Sequence, residues 1–329
     1  MPDRKRPSEE GAALLTVLLL VAVMAVVAST ALEHLALATR MTGNGGAVEQ
    51  GRAFADAGTE IARLRIGDLV QANPGKITLA GGWMGTPQAI PVPGGVATAR
   101  VTDGGNCFNL NSVVSGESES ALSVRPVGVI QFQALLQALG VDARQAQAVA
   151  ASLADWIDSD SVPQPGGAED ETYAQLTRPY RTANRFMVDA SELRAVNGVS
   201  PAIYDLVKPW VCALPTDDLS PLNVNTLLPD QAPLVAMLLQ GQASVAQVRQ
   251  ILAQRSPDGY GGVPQFWDLF KAMGINPLDE AGQQVKVTTG FFRVDVTVDV
   301  GGTQVVERAL IDARQSPAVL VRRNWGAGA

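Results

Sequence analysis

The sequence predicts an α+β chain in which a long N-terminal helix lies against an antiparallel sheet, and a large α-helical insertion interrupts that sheet. Three observations predict it. No charged residue occurs from Ala12 to Leu32. The run Phe291-Phe292-Arg293-Val294-Asp295-Val296-Thr297-Val298-Asp299-Val300 alternates with period two, turns at Gly301-Gly302 and returns through Thr303 to Leu310, the pattern of a β-hairpin. Between about Gly116 and Gln284 the apolar residues recur at helical spacing instead. The final hairpin must therefore close a sheet begun before residue 115. The expected divisions are a charged leader at 1–11, a membrane-spanning helix at 12–32, an α/β body at 33–115 and 285–329, and the insertion at 116–284, in two parts of about 116–215 and 216–284.

The apolar run from Ala12 to Leu32 makes a helix of roughly 30 Å, enough to cross a bilayer core. Arg4, Lys5 and Arg6 precede it, so the positive-inside bias keeps the N-terminus cytoplasmic and puts the body outside. Three fates suit such a segment. A secretory signal peptide would be cut at the small-residue site ending at Ala31, yet the run exceeds the usual signal core of roughly 7–15 residues. A signal anchor would stay uncut. A peptidase acting at the cytoplasmic face after Gly11 would leave the apolar helix on a mature chain starting at Ala12, and the glycine at the junction of charge and hydrophobe favours this third fate. Helical character continues from Glu33 to about Val70, with Leu35, Leu37, Val48, Phe54, Ala57, Ile61 and Leu64 among charged residues. Gly43-Asn44-Gly45-Gly46 is expected to weaken that helix in its middle. Leu35, Leu37, Val48 and Phe54 are expected to continue the apolar face beyond the bilayer toward partners.

Lys76 to about Asn111 reads as short strands and turns, including Gly94-Gly95-Val96-Ala97-Thr98-Ala99-Arg100-Val101. Within the insertion, Ile130 to Ser159 places Phe132, Leu135, Leu136, Leu139, Val149, Leu153, Trp156 and Ile157 at core spacing, with a break near Gly140. A chain of 329 residues with 47% hydrophobic and 17% charged residues is ample for real cores. A net charge of −7 offers no basic field for nucleic acid. The two cysteines, Cys107 and Cys212, are an even count that invites pairing in an oxidising compartment, two buried thiols being the other reading. No phosphate loop, dinucleotide fingerprint or zinc cysteine pattern appears, and His34, the single histidine, stands just beyond the apolar helix. The expectation is a structural protein, not an enzyme.

The richest chemistry is Asp155-Trp156-Ile157-Asp158-Ser159-Asp160, followed by Ser161-Val162-Pro163-Gln164-Pro165-Gly166-Gly167-Ala168 and then Glu169-Asp170-Glu171. Six carboxylates flank a Pro/Gly-rich loop. A hard divalent cation relieves their repulsion, and calcium takes six to eight oxygens. Asp158, Asp160 and Glu169 even stand at positions 1, 3 and 12 of an EF-hand loop. Val162 and Pro163 occupy positions that need a ligand and a glycine, so the loop is not an EF-hand. A solvated acidic loop is the alternative.

A second pattern runs Pro221-Leu222-Asn223-Val224-Asn225-Thr226, then Ala246 to Arg255, then Gly261-Gly262 with Phe266 to Leu269. It resembles helix-hairpin-helix modules of DNA-binding proteins, and Ser191 to Ser200 is a shorter echo. Such modules present backbone N–H groups to phosphate beside basic residues. Here the turns are Gly198-Val199-Ser200 and Gly241-Gln242-Ala243, with little basic charge beside either.

The leader with Gly11 and Ala12 resembles the prepilin signature of type IV pilins and type II secretion pseudopilins. Thr16 stands where most such proteins carry a glutamate as the fifth mature residue, and lacking that carboxylate resembles the K-type minor pseudopilin. The acidic loop, Arg178-Pro179-Tyr180-Arg181-Thr182-Ala183-Asn184 and the Leu-Asn-Val-Asn-Thr motif follow in that family's order. The resemblance implies calcium held by Asp158, Asp160, Glu169 and Asp170, with Asn184 and a loop carbonyl. It also implies a bacterial inner-membrane protein with a periplasmic body, processed by a prepilin peptidase. Its place would be the tip of a periplasmic fibre beside I-type and J-type minor pseudopilins and the major pseudopilin, with exported substrate as a further contact and no nucleic acid. The other reading is a membrane-anchored periplasmic helix-hairpin-helix protein that binds DNA.

Overall fold

A computed structural model describes residues 10–118 and 120–326, residues 10–12 by their backbone alone. The charged residues Arg4, Lys5 and Arg6, and the leader as far as residue 9, lie outside the described residues. Helix α1 (Glu10–Ala72) is one unbroken rod of 63 residues, about 95 Å long at 1.5 Å per residue. Its apolar part has a mean hydropathy of 2.6 with none of that window buried, so length and composition suit a membrane span.

The expected weakening at Gly43-Asn44-Gly45-Gly46 does not appear, because the helix runs straight through. Each glycine costs only about 1 kcal/mol against alanine, and packing resumes at once. A Cβ placed on Gly301, in the hairpin turn, would lie 3.1 Å from Ala47 Cβ. From there α1 lies on the sheet along Gly51, Ala55, Gly58, Thr59, Ala62 and Ile66, a stripe at spacings of one helical turn. The stripe is small for a steric reason. A Cβ on Gly51 would sit 2.6 Å from Val305 Cγ2, and one on Gly58 would sit 3.2 Å from Val296 Cγ1. Phe54 and Val48, expected to face partners, are half-buried, and Phe54 packs against the sheet core. The outward face carries Ile61 and Leu64 instead, 42% and 58% exposed.

The sheet has five antiparallel strands in the order β1 (Gln88–Val92), β2 (Gly95–Asp103), β3 (Phe291–Val300), β4 (Thr303–Asp312) and β5 (Val319–Trp325). Val300 pairs with Thr303 across Gly301-Gly302, both at positive φ, as a two-residue hairpin turn requires. Alternation along β3 sends Phe292, Val294, Val296, Val298 and Val300 into the core under α1. Phe291 and Leu310 belong to the other face, where they meet Leu214 of the insertion. Between α1 and the sheet, buried Glu307 accepts from Thr59 Oγ1 (2.9 Å) and Arg323 Nε (2.8 Å), and Arg323 also pairs with Asp56.

The insertion leaves after Asp103 and rejoins at Phe291, pairing at both ends with neighbouring strands. Its helices include α2 (Pro126–Ala138), α3 (Ala143–Ile157), α4 (Asp170–Ala174), α5 (Pro201–Val207), α6 (Ala232–Ala236), α7 (Val245–Ala253), α8 (Val263–Lys271) and α9 (Asp279–Gln284). The boundaries expected at 115 and 285 fall inside this layer, since Phe108, Leu110, Val113, Val114 and Val285 pack into the helical core. One continuous core spans both expected parts of the insertion, from Phe108 to Val285. Cys107 and Cys212 are joined by a disulfide with Cα atoms 5.8 Å apart, beside the short parallel pairing of Phe108–Asn109 with Val211–Cys212.

Candidate metal centre

Asp142 caps α3 by accepting from the N–H groups of Arg144 and Gln145. Val149, Leu153, Trp156 and Ile157 then turn into the core, and this register leaves Asp155 and Asp158, three residues apart, at the C-terminal end. Asp158 is the C-cap, with extended backbone that throws the chain into the Pro/Gly loop. That loop returns over the helix end. Gln164 N–H donates to Asp155 Oδ1 (3.0 Å) and Oδ2 (3.2 Å). Gly167 passes so close that a Cβ there would collide with the Asp155 carboxylate. Glu169, the N-cap of α4, arrives next to both aspartates.

The carboxylates of Asp155, Asp158 and Glu169 thus offer ligand atoms within 4.8 Å of one another. All three residues are buried. Among the described residues, both oxygens of Asp158 and Oε1 of Glu169 have no hydrogen-bond partner, which is costly for buried charge. Burial, then the charges of Asp160, Glu169 and Asp155, pushes the Asp158 carboxyl up to about 7. Burial, then Asp155, pushes Glu169 up to about 7 as well. Asp155 is raised by burial against the hydrogen bonds it accepts from Gln164 and Ala168. Such a cluster needs either protons or a cation, and its oxygen-only donors suit a hard divalent ion. Trp156 stands beside it with its ring centroid 5.3 Å from that of Tyr173 and 6.0 Å from that of Tyr180.

Of the residues expected to ligate, Asp158 and Glu169 are in this cluster. Asp160 is exposed and accepts from Val162 N–H (2.8 Å). Asp170 Oδ1 accepts from the N–H (2.9 Å) and hydroxyl (2.8 Å) of Thr182, bonds that hold its carboxyl below the usual range. Asn184 is exposed, at φ 46°, and its backbone N–H donates to Trp156 O (3.1 Å). Asp155 was not among the expected ligands. Its three-residue spacing from Asp158 at a helix end was the signal that could have found it.

The Leu-Asn-Val-Asn-Thr motif turns inward. The Asn225 side chain donates to Tyr260 O (3.0 Å) and accepts from Tyr260 N–H (2.6 Å), and Asn223 and Thr226 are buried. Of the two glycine turns, Gly198-Val199-Ser200 leads into α5, whose N-cap Ser200 accepts from Ile203 N–H (3.2 Å). Gly241 follows Gln240, and both have positive φ. At the membrane end, Gly11 and Ala12 lie in the first turn of α1, and the Thr16 hydroxyl donates to Ala13 O (2.8 Å).

Residues 106–216 and 222–288 match two family models, each described as type II secretion system protein K. Type II secretion system protein K of Pectobacterium carotovorum is 32% identical over 325 residues, covering 98% of each chain. The chain belongs to the type II secretion system protein K family. The Aeromonas hydrophila protein K is 33% identical and spans 99% of this chain and all of its own. A chain in the crystal structure of the GspK-GspI-GspJ complex from enterotoxigenic Escherichia coli matches with a TM-score of 0.74 at 27% identity, over 84% of this chain and 96% of that one. Membership of the protein K family makes the chain a minor pseudopilin, a structural component of the secretion machinery with an apolar helix suited to membrane anchoring.

Proposed function

We propose that the protein stands at the tip of the type II secretion pseudopilus, in complex with I-type and J-type minor pseudopilins, and caps or initiates the fibre. The observation that carries this reading is the likeness, over 96% of its length, to a chain crystallised with GspI and GspJ. Physical arguments support it. The helical insertion adds bulk to one face of the head, which a terminal subunit accommodates more readily than one repeated along a tight helical array. Thr16 has no carboxylate to offer a preceding subunit's amine. The N-terminus is cytoplasmic, a prepilin peptidase cuts after Gly11, and Ala12 opens the mature chain. Contacts with sister subunits run along the outward face of α1, through Leu35, Leu37, Ile61 and Leu64.

Within the insertion, calcium sits among Asp155, Asp158 and Glu169. The ion supplies the positive charge that three buried carboxylates lack. Asp160 and Asp170 lie at the rim as the reserve of negative charge.

The test is co-expression with I-type and J-type subunits, with and without a prepilin peptidase, followed by intact mass and N-terminal sequencing. The expected result is a ternary complex whose K-type chain starts at Ala12 only when the peptidase is present. A soluble chain starting near Leu32, or no complex with either subunit, overturns the reading.

A further inference from the structure

Where the chain leaves and rejoins the sheet, the hydrogen bonds close on themselves. Asp103, the last residue of β2, accepts through Oδ2 from Thr226 Oγ1 (2.6 Å) and from Thr289 Oγ1 (2.5 Å), and through Oδ1 from Gly105 N–H (2.9 Å). The Thr226 hydroxyl in turn accepts from Asn106 Nδ2 (2.8 Å), and the Thr289 hydroxyl from Asn223 Nδ2 (2.8 Å). Asn106 Oδ1 accepts from Asn223 N–H (2.9 Å), which completes the ring. Asn223 Nδ2 also donates to Ile77 O (3.0 Å), in the segment that follows α1.

The ring joins the departing segment, the returning segment and the middle of the insertion at one carboxylate. Its direction is set by the carboxylate, which only accepts, so each threonine hydroxyl donates into Asp103 and accepts from an amide; Thr226 Oγ1 lies nearer Asp103 Oδ2 (2.6 Å) than its other acceptor, Asn223 O (3.1 Å). Asn106, Asn223, Thr226 and Thr289 are buried, so breaking the ring leaves unpaired polar groups out of water. The neighbouring contacts between the two layers are separate from one another, among them Lys76 Nζ to Asp258 O (2.9 Å) and the Arg314–Asp218 ion pair. They also include the small apolar patch of Leu214 with Phe291 and Leu310, and single hydrogen bonds from Arg322 to Ala213 O and from Asn324 to Asp189.

We infer that Asp103 is a latch that fixes the angle of the insertion on the sheet, so that the free subunit already carries a head of one rigid shape. The other contacts across the seam, the apolar patch and the isolated hydrogen bonds, can break one at a time. The ring forbids swivelling, because a rotation by even one hydrogen-bond length strands two hydroxyls and two amides together. The Leu-Asn-Val-Asn-Thr motif, which reads in sequence like part of a nucleic-acid module, has its polar groups committed to this internal task.

The experiment places spin labels at exposed Arg100 on the sheet and Gln254 on the insertion of the full chain in detergent, and reads their distance distribution by electron double resonance. Amide exchange is followed alongside. Asp103→Ala and the near-isosteric pair Thr226→Val with Thr289→Val are expected to broaden a narrow wild-type distribution. They should also speed exchange at Leu222–Thr226 about a hundredfold, the loss of two charge-assisted hydrogen bonds. Exchange in α3 should stay unchanged, which separates loss of the latch from general destabilisation. Should Asp103→Ala not fold, the valine pair decides. A distribution as narrow as wild type in a folded valine variant, or equal acceleration in α3, overturns the inference.

Discussion

Asp158→Asn should change the sign of its effect on stability with the cation. The Asp158 carboxyl has both oxygens buried and unpartnered, and two further carboxylates offer oxygens within 4.8 Å. At an effective dielectric of 20, one pair of charges at that separation repels by about 3.5 kcal/mol. Burial first and this repulsion second favour the protonated forms, so the Asp158 and Glu169 carboxyls are pushed up to about 7. A carboxyl raised in the folded state binds its proton more tightly there than when unfolded. Without the cation, stability is therefore highest in the ordinary carboxylate range and is lost as pH rises through about 7. At pH 8 in EGTA, ionised Asp158 costs on the order of 2–4 kcal/mol, and the asparagine removes that cost. The variant should melt roughly 5–10 °C above wild type under those conditions. In millimolar calcium the order reverses, since the wild type gains binding energy that the asparagine cannot match. Differential scanning calorimetry at both conditions reads the crossing. A variant less stable than wild type in both buffers, or a wild-type melting temperature indifferent to EGTA, refutes the reasoning.

Calcium affinity should fall steeply below pH 7, because Asp158 and Glu169 must both lose protons to bind; titration calorimetry at pH 6 and pH 8 in buffers of different ionisation enthalpy should show proton release. Gly51→Leu should lower the melting temperature through overpacking of about 1–3 kcal/mol against Val305, whereas Gly46→Ala, with open space around it, should raise helix stability by a few tenths to about 1 kcal/mol. Ile61→Glu with Leu64→Glu should leave thermal unfolding of the head unchanged and abolish co-purification with I-type and J-type subunits; Phe54→Glu should lower the melting temperature by itself, because that ring packs on the sheet core.

The hairpin from Phe291 to Leu310 was legible because alternation and a Gly-Gly turn are both local signals. So was the long helix, whose apolar run needs no tertiary context. The glycine cluster at 43–46 misleads because propensity is local, while the contact between Ala47 and the turn at Gly301 comes from the far end of the chain. Asp158 and Glu169 could be found from acidic spacing around a stiff loop. Asp155 carried a weaker signal, its three-residue spacing from Asp158, and its burial in the cluster comes only from the loop that carries Gln164 and Gly167 back over the helix end. Asp160 and Asp170 look equivalent to the buried pair in sequence, yet Val162 and Thr182 satisfy them locally. The partners of Asn223 and Thr226 lie at Ile77, Asp103, Asn106 and Thr289, distances along the chain that no motif reveals.

The chain leaves the sheet after Asp103 and returns where Phe292 is that residue's own pairing partner. Seen from the sheet, everything between is a single hairpin loop, however large. A turn of a few residues joining β2 to β3 would leave every strand neighbour, the α1 stripe and the valine core in place. A lineage could therefore gain, enlarge or exchange this cap without rethreading a strand. The shaft and the crown of the molecule are free to follow separate histories.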